Sequence, residues 1–135
     1  MANRVVRVVA AVIERDGKYL ITQRRDEAVL PRLWEFPGGR ADAGELDQSA
    51  LERELKERLG VEVVVAAKLA EQQHAYEGYD VHLALYACEL PPGAEPRPLR
   101  VRDARWVASS EFSQYPFPPA DQATMDQLLD IKRWP

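Results

Sequence analysis

Cysteine is nearly missing from this chain. Cys88 stands alone, so no internal disulfide can form and a reducing cytoplasm is the expected setting. Its expected role is that of a small apolar group in a strand rather than a nucleophile. Histidine is equally sparse: His74 and His82 have no metal-ligand spacing and are expected as strand residues without a chemical role. The apolar run from Val5 to Ile13 is interrupted by Arg7 and is too short to span a bilayer, and no secretory signal is visible. Positive charge is not in excess either. The formal net charge is -4, whereas a binder of polymeric nucleic acid normally carries a basic footprint. A small anionic ligand is still compatible, because a local charge cluster or a bound metal outweighs the global balance. Internal repeats and low-complexity tracts are absent.

What is present is ordinary for a globular domain: 46% hydrophobic and 30% charged residues. A chain of 135 residues is expected to form one domain that buries about two-thirds of its unfolded surface. Val5 to Glu14 reads as a strand buried on both faces, and Asp16-Gly17 is a hairpin signal with Lys18 to Gln23 as the returning strand. Leu33 to Phe36 is a short extended piece stopped by Pro37-Gly38-Gly39. Gln48 to Leu59 reads as a helix, capped by Asp47, ended by a left-handed Gly60, and striped by Leu51, Leu55 and Leu59. Strands are expected over Val61 to Ala66, Leu69 to Ala75, Val81 to Cys88 and Ala104 to Ala108, with a turn at Glu77-Gly78-Tyr79. Pro91 to Pro98 is a surface loop, and Ala120 to Lys132 a terminal helix.

The densest pattern lies between residues 39 and 61. Gly39 is followed after five residues by Glu45 and, after seven more, by Arg53-Glu54-Leu55-Lys56-Glu57-Arg58-Leu59-Gly60-Val61. On a helix Glu54, Glu57 and position 58 are spaced i, i+3 and i+4 and face the same way. Paired carboxylates suit Mg²⁺, a hard cation that takes oxygen ligands and keeps several waters. Gly38-Gly39 permits a tight loop whose backbone can approach the same place. Glutamates alternating with Lys and Arg are by themselves an ordinary solvated helix face. The complete spacing sets this one apart. It resembles the Nudix box, G-x5-E-x7-R-E-U-x-E-E-x-G-U with U aliphatic, of Mg²⁺-dependent diphosphate hydrolases. One fixed position differs: Arg58 stands where the second glutamate of the pair belongs.

The resemblance implies an α/β (α+β) Nudix fold, a mixed sheet sandwiched between helices, spanning 1–135 as one domain. It implies Mg²⁺, with Mn²⁺ as the alternative, held by Glu54, Glu57 and the Gly39 carbonyl. Arg53 looks like the family arginine that braces the carboxylates, and Glu45 like the loop glutamate that supports them. A cation near the metal weakens its binding through like-sign repulsion. Arg58 could instead turn to Glu54 or Glu62, or meet substrate phosphates directly. MutT-type members also place a glutamate in the loop before a strand that contains a tryptophan. Trp106 resembles that tryptophan and Arg100 occupies the loop position, with Glu95 and Asp103 as neighbouring acids.

The flanks extend the likeness. Leu20 to Arg25, Leu33 to Gly39 and Tyr115 to Asp121 resemble MutT-type segments in the same order. That group hydrolyses nucleoside triphosphates to a monophosphate and pyrophosphate, and includes enzymes for oxidised purine nucleotides and for CTP or dCTP. The likeness puts Asp121 and Glu35 at the base, and an aspartate can accept from a base amino group or donate when protonated. Phe36 and Phe117 could enclose the base, although core packing is the default for each, and Arg24 could reach the triphosphate. Two further classes stay open: a Nudix hydrolase of another nucleoside diphosphate derivative, and a weakened domain that binds a nucleotide or a partner protein because Arg58 and Arg100 replace carboxylates.

Overall fold

A computed structural model describes residues 4–28 and 30–118. The helix expected over Ala120 to Lys132, and Asp121 with it, lies outside the described residues. The elements run β1 (Arg4–Val12), β2 (Glu14–Arg15), β3 (Lys18–Gln23), β4 (Trp34–Glu35), β5 (Gly38–Arg40), α1 (Asp47–Leu59), β6 (Val64–Tyr76), β7 (Tyr79–Glu89) and β8 (Asp103–Val107). A 3₁₀ segment, Ser109–Gln114, follows. The strands form two sheets, one ordered β5-β1-β7-β6 and the other β2-β3-β4, with β8 paired to β3. The first sheet is mixed, because β1 runs parallel to β7 and antiparallel to β5. No helix among the described residues is long and apolar enough to cross a membrane.

The valine- and alanine-rich end of β1 explains the layering. Successive side chains of a strand point to opposite faces, so Val9, Ala11 and Ile13 join Leu51, Leu55 and Leu59 of α1 in one core. Ala10 and Val12 join Tyr19, Ile21, Phe36, Leu83 and Leu85 in the other. The three helix leucines are fully buried, each contributing about 1.5–3 kcal/mol of burial. The Asp16-Gly17 turn takes positive φ at both residues, 53° and 77°, as a tight hairpin with this twist requires. Cys88 is buried in β7, which pushes its thiol up to about 12 and leaves it in the apolar role expected of it.

Three local expectations are corrected. Asp47 does not cap α1: Leu46 occupies the cap position without a side-chain bond. The Asp47 carboxylate accepts instead from Arg7 at 2.6 Å and from the Tyr86 hydroxyl at 2.5 Å, and a charged partner plus a phenol outweigh a local backbone amide. The separate strands expected at Val61 to Ala66 and Leu69 to Ala75 are one strand, β6. Continuous pairing with β7 carries it through register shifts on both sides of Lys68, where bulges absorb the irregular sequence. Gly38–Arg40, expected as a loop, pairs with β1 as β5. A Cβ on Gly38 would lie 1.9 Å from the Val9 carbonyl oxygen, so the strand depends on a residue without one.

Candidate active site

Helix α1 ends where the site begins. Gly60 closes it in the left-handed conformation at φ 69°, its amide donating to the Lys56 carbonyl, as the sequence suggested. The carbonyls left over are taken by a loop far along the chain: Arg97 donates to Leu59, and Leu99 and Arg100 both donate to Arg58. Those bonds bring Arg100 beside the last turn of α1.

Glu54 is the focus of the charges. Its side chain is 9% exposed, and both of its oxygens are engaged. Arg53 Nη1 donates to Oε1 at 2.9 Å, and Arg58 Nε donates to Oε2 at 2.6 Å. Of the partners weighed for Arg58, Glu54 is therefore the one it takes. Arg53 is itself anchored by Glu45 through two bonds of 2.9 Å and by the Arg40 carbonyl at 3.0 Å. It also lies 3.6 Å from Glu57. The Arg53 bonds, and after them the Asp42 amide, hold the Glu45 carboxyl down at about 2. Glu45 in turn raises Arg53 above its usual range. Gly39 of β5 meets this cluster edge-on, and a Cβ there would stand 2.3 Å from Glu54 Oε2. Arg53, Glu54, Glu57, Glu45 and Gly39 thus lie in one cluster, the grouping that the resemblance implied.

Two clefts meet at this cluster. The larger, about 450 Å³, is lined by apolar residues of β1 and β7, by Phe36, Gly38, Gly39 and Pro118, and by Arg24, Glu35 and Arg58. The smaller, about 290 Å³, is lined by Arg24, Arg25, Arg58, Arg100, Glu54 and Glu57. Arg24 and Arg58 belong to both walls. Glu35 sits at the junction, 2.9 Å from Arg24. Burial raises the Glu35 carboxyl above its ordinary range, while Arg24 and then Arg58 pull the other way. Phe117 falls elsewhere: it packs in the core against Phe36, at 5.8 Å between ring centroids, and against Phe112. A buried position behind Phe36 won over one beside a ligand because three aromatic rings together bury more apolar surface. Glu95 and Asp103 do not reach the smaller cleft; they pair with Arg15 and Arg105.

Two features had no signal in the sequence. Tyr76 and Tyr79, at the tip of the β6–β7 hairpin, stack at 5.3 Å and 19° and wall the larger cleft. Arg7 donates to the Glu45 carbonyl and to Asp47, which ties the Glu45 loop to β1. Burial raises the Asp47 carboxyl, but the Tyr86 and Arg7 hydrogen bonds outweigh it and hold it below the usual range. The Arg7 pairing joins residues distant in sequence, whereas the tyrosine stack is a local contact across the hairpin turn whose place on the cleft wall the fold decides.

The family model of the NUDIX domain matches residues 8–127 of the chain. The chain belongs to the Nudix hydrolase family. It is 35% identical over 130 residues to the CTP pyrophosphohydrolase of Escherichia coli, covering 96% of this chain and 95% of that protein. It is 32% identical over 132 residues to the 8-oxo-dGTP diphosphatase of Haemophilus influenzae, with 96% of each covered. Among solved structures, the MutT NUDIX hydrolase of Burkholderia pseudomallei superposes with a TM-score of 0.80 at 27% identity, covering 92% of this chain and 98% of that one.

Nudix hydrolases in general need divalent metal ions. Among the described residues, no three His, Cys, Asp or Glu side chains gather to hold an ion by themselves. Two carboxylates on one cleft wall, and a glycine strand that leaves Glu54 room, fit a cation that completes its shell with water and substrate phosphate. Mg²⁺ is usually bound in that way. The donor set fits such a group.

Proposed function

We propose that the protein is a Mg²⁺-dependent nucleoside triphosphate pyrophosphohydrolase that releases a nucleoside monophosphate and pyrophosphate, with Mn²⁺ able to replace Mg²⁺. The observation that carries this reading is the pair of adjoining clefts. One has a mainly apolar wall from β1, β7 and Phe36, with Glu35 and the arginines Arg4, Arg24, Arg40 and Arg58 beside it, suited to a nucleobase; the other is mostly charged, with four arginines and two glutamates, suited to a polyphosphate with its cation. A sugar bridges the two where Arg24 and Arg58 stand.

In this reading Glu54, Glu57 and the Gly39 carbonyl hold the cation, which neutralises phosphate charge and activates water when bound. Arg53, anchored by Glu45, keeps the two carboxylates aimed. Arg24, Arg25 and Arg100 hold phosphate oxygens, since guanidinium matches phosphate in geometry as well as charge. Phe36, backed by Phe117, forms one wall of the base cleft, and the Tyr76–Tyr79 stack another. Glu35 reads the base edge, together with Asp121 from the segment after Pro118. The Glu35 carboxyl, 2.9 Å from Arg24, offers a base edge an oxygen that can accept from an amino group. Hydrolysis of CTP or of an oxidised purine triphosphate, the activities named for the relatives, fits a cleft of this size.

The test is a screen of nucleoside triphosphates, 8-oxo-dGTP included, alongside nucleotide sugars and dinucleotides, each with and without Mg²⁺. Pyrophosphate release from triphosphates alone, and only with metal, is the expected outcome. Turnover confined to nucleotide sugars would move the protein to another Nudix class. Nucleotide binding without turnover would make it a binding module.

A further inference from the structure

Arg58 is the residue that departs from the family pattern, and its surroundings give it a specific task. Resting on the reading of Glu54 as a metal ligand, we propose that Arg58 is a positioning residue that exchanges partners. Its guanidinium is held by Glu54 until a substrate phosphate takes it, and that exchange frees Glu54 Oε2 for the cation.

Four observations carry the proposal. First, Arg58 donates to Oε2 of Glu54, the oxygen that faces the Gly39 strand. A divalent cation at that oxygen and a guanidinium on it repel each other, so the two compete. Second, of the two arginines on Glu54 only Arg58 is free to leave. Arg53 is tied to Glu45 and to the Arg40 carbonyl as well, whereas Glu54 is the one salt-bridge partner of Arg58 among the described residues. Third, Arg58 lines both clefts and its side chain is 33% exposed, so its head reaches the phosphate cleft by side-chain rotation alone. Its backbone stays fixed by the Leu99 and Arg100 amides. Fourth, Arg24, the other arginine common to both walls, is engaged by Glu35, which leaves Arg58 as the cation at the junction whose present partner is a proposed metal ligand.

The consequence is that metal and nucleotide help each other to bind. A nucleotide that draws Arg58 off Glu54 raises the affinity for the cation, and by linkage the cation raises the affinity for the nucleotide to the same extent. The carboxylate missing at position 58 is thereby compensated, since the site is fully charged for metal only when phosphate is present.

The experiment compares the full-length wild type with Arg58→Gln in two separate titrations. One measures Mn²⁺ alone by paramagnetic resonance; the other measures α,β-methylene-CTP and α,β-methylene-dGTP in EDTA by calorimetry. Exchange predicts opposite changes in the variant: Mn²⁺ binds about tenfold tighter and the analogue about tenfold weaker, within the usual range of such couplings. Tighter Mn²⁺ with an unchanged analogue would make Arg58 a mere obstruction, and overturn the proposal. A weaker analogue with unchanged Mn²⁺ would make it a plain phosphate ligand, and overturn it too. Adding Glu54→Gln to Arg58→Gln in the same Mn²⁺ titration separates the two levels: if the double variant binds Mn²⁺ as tightly as Arg58→Gln, the reading of the metal site has failed rather than that of Arg58. Should Arg58→Gln fail to fold, the Nε–H resonance of Arg58 in the wild type serves instead. It is expected to shift on adding the analogue without metal, and a resonance that does not move would refute the exchange.

Discussion

Glu54 and Glu57 are neighbours on one helix face yet live in different surroundings, with side chains 9% and 44% exposed. Their replacement by glutamine should therefore separate function from stability. Both variants are expected to lose metal-dependent hydrolysis by more than the ~10–100-fold typical of outer partners of a metal site. Glu57→Gln should hold its stability to within about 0.5 kcal/mol, as an exposed substitution does. Glu54→Gln should be measurably less stable, because Arg53 and Arg58 lose a buried anion. Pyrophosphate release and thermal unfolding check both statements. Glu45 offers a pH test. Its carboxyl lies at about 2 in the fold against 4.5 ordinarily. A depressed carboxyl contributes stability that is full above the ordinary value and is lost as pH falls toward the folded one. Wild type should thus lose stability between pH 4.5 and about 2 more steeply than Glu45→Gln, in denaturant titrations at each pH. Equal slopes would mean that the Arg53 bonds contribute nothing.

At the scale of elements, α1 and β5 form a two-part bracket. The leucine stripe fixes the helix on β1, and Gly39 lets β5 come against Glu54. Two alanine substitutions should fail in different ways. Leu55→Ala opens a cavity under the helix and is expected to cost about 2–5 kcal/mol, with turnover per folded molecule little changed at low temperature. Gly39→Ala drives a methyl onto the Glu54 carboxylate, and is expected to cut turnover and metal affinity strongly. Chemical denaturation alongside kinetics distinguishes them, and normal metal binding by Gly39→Ala would show that β5 and Glu54 do not share the cation. The β6–β7 hairpin performs a different task, projecting the stacked Tyr76 and Tyr79 over the larger cleft.

Over the whole molecule, the larger and the smaller cleft adjoin at Arg24 and Arg58 and otherwise have different walls, so base choice and phosphate chemistry should respond to different residues. Glu35→Ala and Tyr79→Ala are expected to change the ratio of kcat/KM between triphosphates of different bases. A site built to hydrogen-bond a base edge penalises the wrong base by leaving buried polar groups unpaired. Arg53→Lys, behind Glu54 and Glu57 of the other cleft, should slow all triphosphates alike, because a single ammonium cannot replace a guanidinium fork. Uniform losses from Glu35→Ala and Tyr79→Ala would make both residues structural. The mixed fold accounts for where these surfaces lie, and the hairpin supplies one wall of the larger cleft.

Much of this was legible in the chain itself. Helix α1, its leucine stripe, the Gly60 ending and the Asp16-Gly17 hairpin follow from short-range rules, since each depends on residues within a few positions of one another. The shared face of Glu54 and Glu57 was legible for the same reason, with the helix supplying the spacing, while Arg53 and Glu45 were legible only through the resemblance to the Nudix box. Tertiary structure alone decided the rest. Asp47 left its capping role for Arg7 and Tyr86, β6 ran on through two expected strands because β7 paired with it, and Phe117 went to the core rather than to the cleft. Arg58 is a mixed case. The sequence left it a choice among Glu54, Glu62 and phosphate; Glu54 lies one helical turn back as an i,i+4 partner, and the fold partly buries that pair beside Gly39. Local propensity acts along the chain, whereas a charged side chain answers to whatever the fold brings within reach.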